Sequence, residues 1–319
     1  MSLETEAALD RRRLKRSTSF WRAGAILALA AAIGAYAFSG EGRLGLSETH
    51  QIARVTIEGM ITEDRAQLRM LKRLAEAKHV DGVILVVNSP GGTTTGGEAL
   101  YGALRELAKD KPVVAQFGTV AASAGYIVGL GTDHIVARGN SITGSIGVLA
   151  QWPEFSDLLD KLGIKFNEVK SGVLKAAPSP FAPMTDDARK VMEDTINDGF
   201  KWFLSLVKER RGIDPADVPG LKDGRIFSGR EALTHKLVDE IGGEAEAKAW
   251  LEASPGVDKG LDVVDWKPEP SGRWGLTSSL SSVAGSIAEA ATQGVVKSAF
   301  GPSAVGAVGL DGLVSVWHP

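Results

Sequence analysis

The 319-residue sequence contains no cysteine. Disulfide bonds, thiolate zinc sites and a cysteine nucleophile are therefore excluded, although this absence does not by itself assign a compartment. A charge excess is also lacking, because the formal net charge is −3, and nothing global favours binding to nucleic acid. With 44% hydrophobic and 24% charged residues, the composition is that of a globular protein with an ample core.

Charge is missing locally as well, since residues 23–39 carry no charged side chain. This stretch is at the short end of the roughly 17–25 residues that span a bilayer as a helix. The basic cluster Arg11–Arg16 precedes it, and such clusters stay on the cytoplasmic side. We therefore predict a cytoplasmic segment at 1–22, a single transmembrane anchor at 23–39 in the bacterial inner membrane, and a periplasmic or extracytoplasmic body. A cleaved signal peptide, with Ala35–Ala37 as the cleavage pattern, and a buried core helix remain alternatives.

After a polar linker at 40–50, apolar residues alternate between strand and helix patterns. The predicted elements are a strand at 52–57, a helix at 68–74, a strand at 83–87, a helix at 99–107, a strand at 113–115, and helices at 186–211 and 229–241. This order predicts an α/β fold with mostly parallel strands and helical crossovers. We place the domain at 51–252, followed by an extension at 253–319 to which the sequence assigns no role.

Two loops follow predicted strands and have compositions suited to chemistry. Asn88–Gly92 combines proline with adjacent glycines, whose N–H groups can turn toward a cleft and stabilise an oxyanion, although a tight turn is an alternative. Gly118–Tyr126 places Ser123 among alanine and glycine at the start of a predicted helix. Ser123 is a candidate nucleophile there, and a simple helix cap is the alternative.

A third segment, Val169–Pro180, holds Lys170 and Lys175 among apolar and small residues. Lysine side chains usually point to solvent. A lysine in an apolar site differs, because desolvation lowers its pKa from about 10.4 and the neutral amine can then accept a serine proton. The local sequence does not decide between these two situations.

Taken together, these segments resemble the signal peptide peptidase A family of serine peptidases, which is related in fold to the Clp protease subunit and the crotonases. The resemblance covers residues 51–252. The motifs that carry it follow the family's order and are Asn88–Gly92, Ala121–Tyr126, Thr143–Val148, Lys170–Lys175, Gly224–Ala232 and Leu237–Gly243.

The resemblance implies a Clp/crotonase-like spiral of ββα units and a membrane-anchored serine endopeptidase. It implies that Ser123 is the nucleophile, that Lys175 is the general base, and that the N–H groups of Gly92 and Ala124 form the oxyanion hole. Ser145 matches a serine that orients the lysine. The implied substrates are membrane-associated or unfolded peptides such as remnant signal peptides, with no metal or other cofactor. The implied partners are the lipid bilayer and further copies of the chain, which share sites between subunits.

Two positions depart from the family pattern. Asn88 stands where most members have aspartate, and the sequence Ser123-Ala124-Gly125 replaces Ser-Gly-Gly. Ala124 still offers its backbone N–H, but its dihedral angles are more restricted than those of glycine.

Three other functions are weighed against this one. A Ser-His-Asp triad could use His134 and Asp133, but adjacent side chains in a strand point to opposite faces, so we predict a structural or exposed His134. A catalytically inactive scaffold could keep the same fold. A crotonase-type acyl-CoA enzyme would not need Lys175, and the predicted anchor argues against its cytoplasmic location.

Overall fold

The computed structural model describes residues 49–269 without a break, and also residues 21–22, 24–27, 29 and 314–316. The chain divides into two units, Met1–Thr49 and His50–Pro319. The described residues of the first unit between 21 and 29 are helical and exposed, and most of the predicted anchor at 23–39 lies outside them. Within the described part of the chain, no helix is both long and apolar enough to cross a membrane.

The second unit is an α/β fold. Its strands are β1 (Gln51–Ile61), β2 (Val80–Thr93), β3 (Val113–Ala122), β4 (His134–Ala137), β5 (Ile142–Gly144), β6 (Ile226–Ser228), β7 (Glu240–Ile241), β8 (Asp262–Trp266) and β9 (Val314–Val316). Its helices are α1 (Arg65–Glu76), α2 (Thr94–Asp110), α3 (Ala124–Leu130), α4 (Ser156–Lys161), α5 (Asp186–Arg211), α6 (Gly229–Thr234) and α7 (Glu244–Glu252). The 3₁₀ turns Pro215–Asp217 and Leu221–Asp223 join α5 to β6.

The described strands form one mostly parallel sheet with the order β6-β5-β3-β2-β1-β8, in which β4 also pairs with β3 and β7, and β9 with β2. Only the β5–β6 and β2–β9 pairs are antiparallel. The predicted α/β fold with parallel strands is therefore confirmed. Because β2, β3 and β5 are parallel neighbours, their carboxyl ends lie along one edge of the sheet, where α/β proteins commonly bind ligands.

The sheet is covered on both faces, which explains the unbroken apolar run of β2. Leu85 belongs to the main core, whereas Ile84 belongs to a second apolar cluster with Ala247 and Leu251 of α7. Both β2 side chains are fully buried, since successive residues of a strand point to opposite faces.

Two predicted features differ in the structure. The segment 229–241 is not one helix, because Lys236 takes a left-handed φ of 59° after α6 and the chain then continues into β7. The Asn88–Gly92 segment is not a separate turn either. It is the end of β2, which remains paired with β1 as far as Gly92 opposite Ile61.

Beyond residue 252 the chain adds a further strand, β8, parallel to β1. Arg54 of β1 forms hydrogen bonds to both β8 and α7. Its Nε donates to Asp265 of β8 (2.6 Å), and its Nη1 donates to Glu244 of α7 (2.9 Å). Hydrogen bonding to Arg54 holds the pKa of the Asp265 carboxyl below its usual value.

Candidate active site

Ser123 lies between the end of β3 at Ala122 and the start of α3 at Ala124. Its φ and ψ angles of 57° and −120° are those of the first central residue of a type II′ turn, a position that usually holds glycine. Such a conformation costs a non-glycine residue on the order of 1–3 kcal/mol, and such outliers cluster at functional sites. The described structure has no capping hydrogen bond from the Ser123 side chain to α3, so the helix-cap alternative is not supported.

The turn at Ser123 is held by both neighbouring strands. The backbone N–H of Ser123 donates to the carbonyl of Gly144 in β5 (2.9 Å). On the other side, a Cβ atom at Gly125 would lie only 2.8 Å from the carbonyl oxygen of Ser89 in β2. Ser123 itself is 1% exposed. The candidate nucleophile is therefore buried and its backbone is fixed.

The position of this turn also depends on an irregularity in β3. Val87 of β2 pairs with Phe117, but Ser89 pairs with Ala121, so β3 contains two more residues than β2 over this interval. The side chain of Asn88 compensates, because its Oδ1 accepts hydrogen bonds from the N–H groups of Thr119 (3.1 Å) and Val120 (3.2 Å). A carboxylate could accept the same two bonds, so the departure from the family's aspartate leaves this role intact.

The two predicted oxyanion-hole residues lie on different elements, Gly92 near the end of β2 and Ala124 at the start of α3. At Gly92 a Cβ atom would lie 1.8 Å from the carbonyl oxygen of Ile61, so any side chain would collide with β1. Ala124 is the first residue of α3, where backbone N–H groups have no intrahelical partner. Its φ is not positive, so alanine is unstrained there, and a Cβ atom at Gly97 would lie 3.3 Å from its methyl group. Glycine at 97 therefore accommodates alanine at 124.

Ser123 and Ser145 line one pocket with a volume of about 360 Å³. Ser145 also has a positive φ, of 51°, and its N–H donates to the carbonyl of Arg225 (2.9 Å). The rest of the lining is mainly apolar and consists of Ile146, Gly147, Val148, Leu149, Ile196, Phe200, Lys222, Asp223 and Gly224. Such a pocket suits an apolar substrate side chain next to the nucleophile.

Sequence reasoning missed the contributions of Ile196, Phe200 and Lys222 to this pocket. Ile196 and Phe200 are four residues apart on α5 and therefore lie on the same side of the helix. That spacing was visible in the sequence, but it indicates only an apolar stripe and not the loop that the stripe meets. Lys222 lies in a 3₁₀ turn distant in sequence from Ser123, and no local pattern marks it.

Lys175 is exposed and is not among the residues that line the pocket of Ser123. It belongs to the exposed segment 155–181, in which Val169 and Val173 are 102% and 83% exposed. The other predicted lysine, Lys170, forms an ion pair with Glu168 (2.5 Å). Within one chain, the structure thus brings Ser123 and Ser145 together but does not bring Lys175 to them.

His134 and Asp133 have other partners. The His134 ring stacks on Trp250, with ring centroids 4.9 Å apart, and its Nε2 lies 3.4 Å from a Glu240 carboxylate oxygen. Asp133 accepts hydrogen bonds from Arg105 (3.0 Å) and from the N–H of Val113 (3.1 Å). These contacts agree with the predicted structural role of His134 and argue against a triad with Ser123.

Known proteins are similar to this chain in sequence. The family model described as peptidase family S49 matches residues 105–258, and the model described as Clp protease matches residues 46–138. The provisionally named protease slr0021 of Synechocystis sp. is 33% identical over 226 residues, which cover 70% of this chain and 81% of that protein. The provisionally named protease MJ0651 of Methanocaldococcus jannaschii is 38% identical over 213 residues, which cover 67% and 68%.

A third relative, from Enterococcus faecium, is provisionally named signal peptide peptidase SppA. It is 34% identical over 206 residues, which cover 64% of this chain and 60% of that protein. The chain belongs to the signal peptide peptidase A family, peptidase family S49, and is a serine peptidase with a Clp-like α/β fold.

Proposed function

We propose that the chain is a membrane-anchored endopeptidase that uses a dyad of Ser123 and Lys175 to hydrolyse membrane-associated peptides such as remnant signal peptides. The observation that carries the proposal is the backbone conformation and the location of Ser123. It is a strained serine at the carboxyl end of a strand, it does not cap its helix, and it lines a mainly apolar pocket.

In the proposed reaction, Ser123 Oγ attacks the scissile carbonyl carbon while its proton passes to Lys175 Nζ. The oxyanion accepts hydrogen bonds from the N–H groups of Gly92 and Ala124. The C–N bond then breaks, and Lys175 returns the proton to the leaving amine. A water molecule that gives its proton to Lys175 hydrolyses the acyl-enzyme and regenerates Ser123. Ser145 orients the lysine amine within the same pocket.

Lys175 has to approach Ser123 of another copy for this chemistry, because it is exposed and outside the pocket of its own chain. An amine acts as a base only when neutral, and desolvation favours its neutral form. The exposed segment 155–181 supports burial against a second copy, since nine of its large apolar side chains are exposed: Phe155, Leu158, Leu162, Ile164, Phe166, Val169, Val173, Leu174 and Phe181. An exposed apolar surface of this kind is typical of protein–protein contacts.

The membrane location and the substrate class rest on different observations. The basic residues at 11–16 followed by the uncharged stretch 23–39 support a single-pass anchor in the bacterial inner membrane, with the domain at 51–252 on the extracytoplasmic side. The apolar lining of the pocket supports peptides with apolar side chains as substrates. Signal peptides are apolar and remain in the membrane after release, so both features would fit them.

The test is hydrolysis of an apolar fluorogenic peptide by the full chain in detergent, with the mass of the assembly measured in parallel. Ser123→Ala and Lys175→Ala should each reduce turnover by about a thousandfold or more with the assembly unchanged. Lys170→Ala, in the same segment and ion-paired with Glu168, is the matched control and should retain activity. His134→Ala should also remain active.

Lys222→Ala separates the proposed base from a lysine that lines the Ser123 pocket of the same chain. Loss of activity in Lys222→Ala with a fully active Lys175→Ala would overturn the base assignment.

Mixing equal amounts of the two inactive chains, Ser123→Ala and Lys175→Ala, should restore about a quarter of the activity if a site combines residues of two copies across a head-to-tail interface. An assembled wild-type protein without any turnover would favour the inactive-scaffold alternative.

A further inference from the structure

Lys222 brings a positive charge to the pocket that Ser123 and Ser145 line. It is the middle residue of the 3₁₀ turn Leu221–Asp223. The side chain of Leu221 is fully buried in the main core, whereas Lys222 is exposed. The first residue of the turn therefore fixes it to the core, and the second lies on the solvent-exposed side of the pocket.

The turn that carries Lys222 is tied to Ser145 through the backbone. Gly220 precedes the turn with a left-handed φ of 76°. The N–H groups of Asp223 and Arg225 both donate to the carbonyl of Gly220 (3.1 Å each). The carbonyl of Arg225 in turn accepts a hydrogen bond from the N–H of Ser145 (2.9 Å). Main-chain contacts thus set the place of Lys222 beside the pocket.

The ammonium group of Lys222 has no anionic partner within residues 49–269. Lys109, by contrast, is paired with Glu106 (2.6 Å). Asp223 follows Lys222 and lines the same pocket, but successive side chains of a 3₁₀ turn point about 120° apart. Most of the remaining lining is apolar, and charges attract each other more strongly beside apolar surface than in open water. The pocket therefore offers a cation to an anionic group of its ligand.

A peptide substrate carries such a group in two places. Its carboxylates belong either to aspartate and glutamate side chains or to the end of the chain, and both present the same acceptor oxygens to an ammonium group. A remnant signal peptide has a new terminal carboxylate, because hydrolysis of the bond to its precursor creates one. An apolar peptide with a carboxylate fits both the apolar lining and Lys222.

We propose that Lys222 is a specificity-determining residue that binds a carboxylate of the peptide substrate, while the apolar lining holds a neighbouring side chain. The inference rests on the proposed function, since it assigns the pocket of Ser123 to peptide substrates. It does not depend on which residue acts as the base. Lys222 selects among peptides and takes no part in the proton transfers.

Three fluorogenic peptides with one apolar sequence test this selection on the full chain in detergent. The first ends in a carboxylate, the second in an amide, and the third ends in an amide but has glutamate in place of a glutamine next to the scissile bond. Wild type should cleave one of the two carboxylate peptides with a kcat/KM about two- to fivefold higher than that of the neutral amide, as expected for an exposed ion pair. The preferred peptide identifies the source of the carboxylate. Lys222→Gln should remove the preference, and Lys222→Glu should reverse it.

Two further variants and added salt sharpen the test. Lys208→Gln, at an exposed position in the last turn of α5 and outside the lining, is the matched control and should keep the preference. Asp223→Asn removes a carboxylate from the lining and should increase the preference. The preference should shrink with salt, because the screening length falls from about 8 Å at 0.15 M to about 3 Å at 1 M.

Three results would overturn the proposal. The first is equal kcat/KM for all three peptides in the wild type, and the second is a preference that persists in Lys222→Gln. The third is loss of all turnover in Lys222→Gln, because it would place Lys222 in the chemistry of cleavage.

Binding to the full chain with Ser123→Ala separates failure of this inference from failure of the proposed function. In fluorescence anisotropy, the labelled carboxylate peptide should bind about two- to fivefold more tightly than its amide. Ser123→Ala/Lys222→Gln should bind the two equally. A carboxylate preference here without turnover by the wild type would support the role of Lys222 and refute the peptidase. Turnover by the wild type without such a preference would refute the role of Lys222 alone.

Discussion

At the scale of single residues, Asn88 supports the active-site turn from the neighbouring strand. Asn88→Ala would leave the N–H groups of Thr119 and Val120 without their acceptor, and we expect it to lower the free energy of unfolding by about 1–3 kcal/mol. It should also lower kcat, because Thr119 and Val120 lie at the end of β3 and Ser123 directly follows that strand. Asn88→Asp keeps an acceptor and should retain most of the free energy of unfolding and most of kcat. Urea unfolding and peptide hydrolysis measure the two effects. A matched control is Asn140→Ala, whose amide oxygen accepts an exposed bond from Arg230.

The strain at Ser123 gives a second expectation at this scale. Both Ser123→Ala and Ser123→Gly should be inactive, but glycine adopts a φ of 57° without steric cost and alanine does not. The glycine variant should therefore be more stable than the alanine variant by about 1 kcal/mol in thermal or urea unfolding. At Ser205, inside helix α5, the order should be reversed, because alanine is the better helix former. Equal stabilities of the two variants at 123 would contradict the strain.

At the scale of secondary-structure elements, helix α5 brings the aromatic side chain of Phe200 to the pocket. Phe200→Ala should enlarge the pocket and shift the ratio of kcat/KM toward peptides with larger apolar side chains by about tenfold or more. A series of fluorogenic peptides that differ only at the residue before the scissile bond measures this ratio. Val191→Ala, on an exposed part of the same helix, should leave it unchanged.

The edge strand β8 gives a pH-dependent expectation. The pKa of Asp265 is lowered by its hydrogen bond to Arg54, so the stabilisation from this bond is complete above the unfolded-state pKa. It is lost as the pH falls through the lower pKa of the folded state. In Arg54→Ala the pKa of Asp265 should rise toward its ordinary value, as measured by NMR titration. Amide exchange of residues 262–266 at neutral pH should be faster in this variant than in the wild type.

The elements differ in how far the sequence predicts them. The bounds of α5 agree with the predicted 186–211 because its apolar spacing persists over many turns. The end of β2 is predicted as a loop, with a tight turn as the alternative, because Pro90, Gly91 and Gly92 normally interrupt a strand. In the structure the strand continues, and the close approach of β1 requires glycine at Gly92. β8 and β9 were not predicted at all. Both are short, and their strand partners lie far away in the sequence.

The residues of the candidate site also differ in how far the sequence predicts them. Ser123 and Ser145 could be chosen from motifs, because each lies at the end of a strand that brings it to one edge of the sheet. The apolar wall from α5 and the solvent exposure of Lys175 depend on how distant segments pack, and short-range patterns carry no signal for that packing.

At the scale of the whole molecule, the exposed segment 155–181 is expected to hold copies of the chain together. Val173→Asp places a charge on this surface and should lower the mass of the assembly in light scattering. Peptidase activity should fall with it, since Lys175 would no longer reach a second copy. Val191→Asp changes an exposed valine on α5 in the same way and should leave mass and activity intact. An active monomeric Val173→Asp protein would contradict the shared site.

The exposure of Lys175 outside the pocket of Ser123 has a consequence for dilution. Under the proposed mechanism a second copy supplies Lys175, and this supply is bimolecular and weakens as copies separate. The activity per chain should then fall as the protein is diluted, whereas a site complete within one chain would keep its activity. If the anchor holds the chain in a membrane as proposed, the density of copies in that membrane would set the rate of proteolysis.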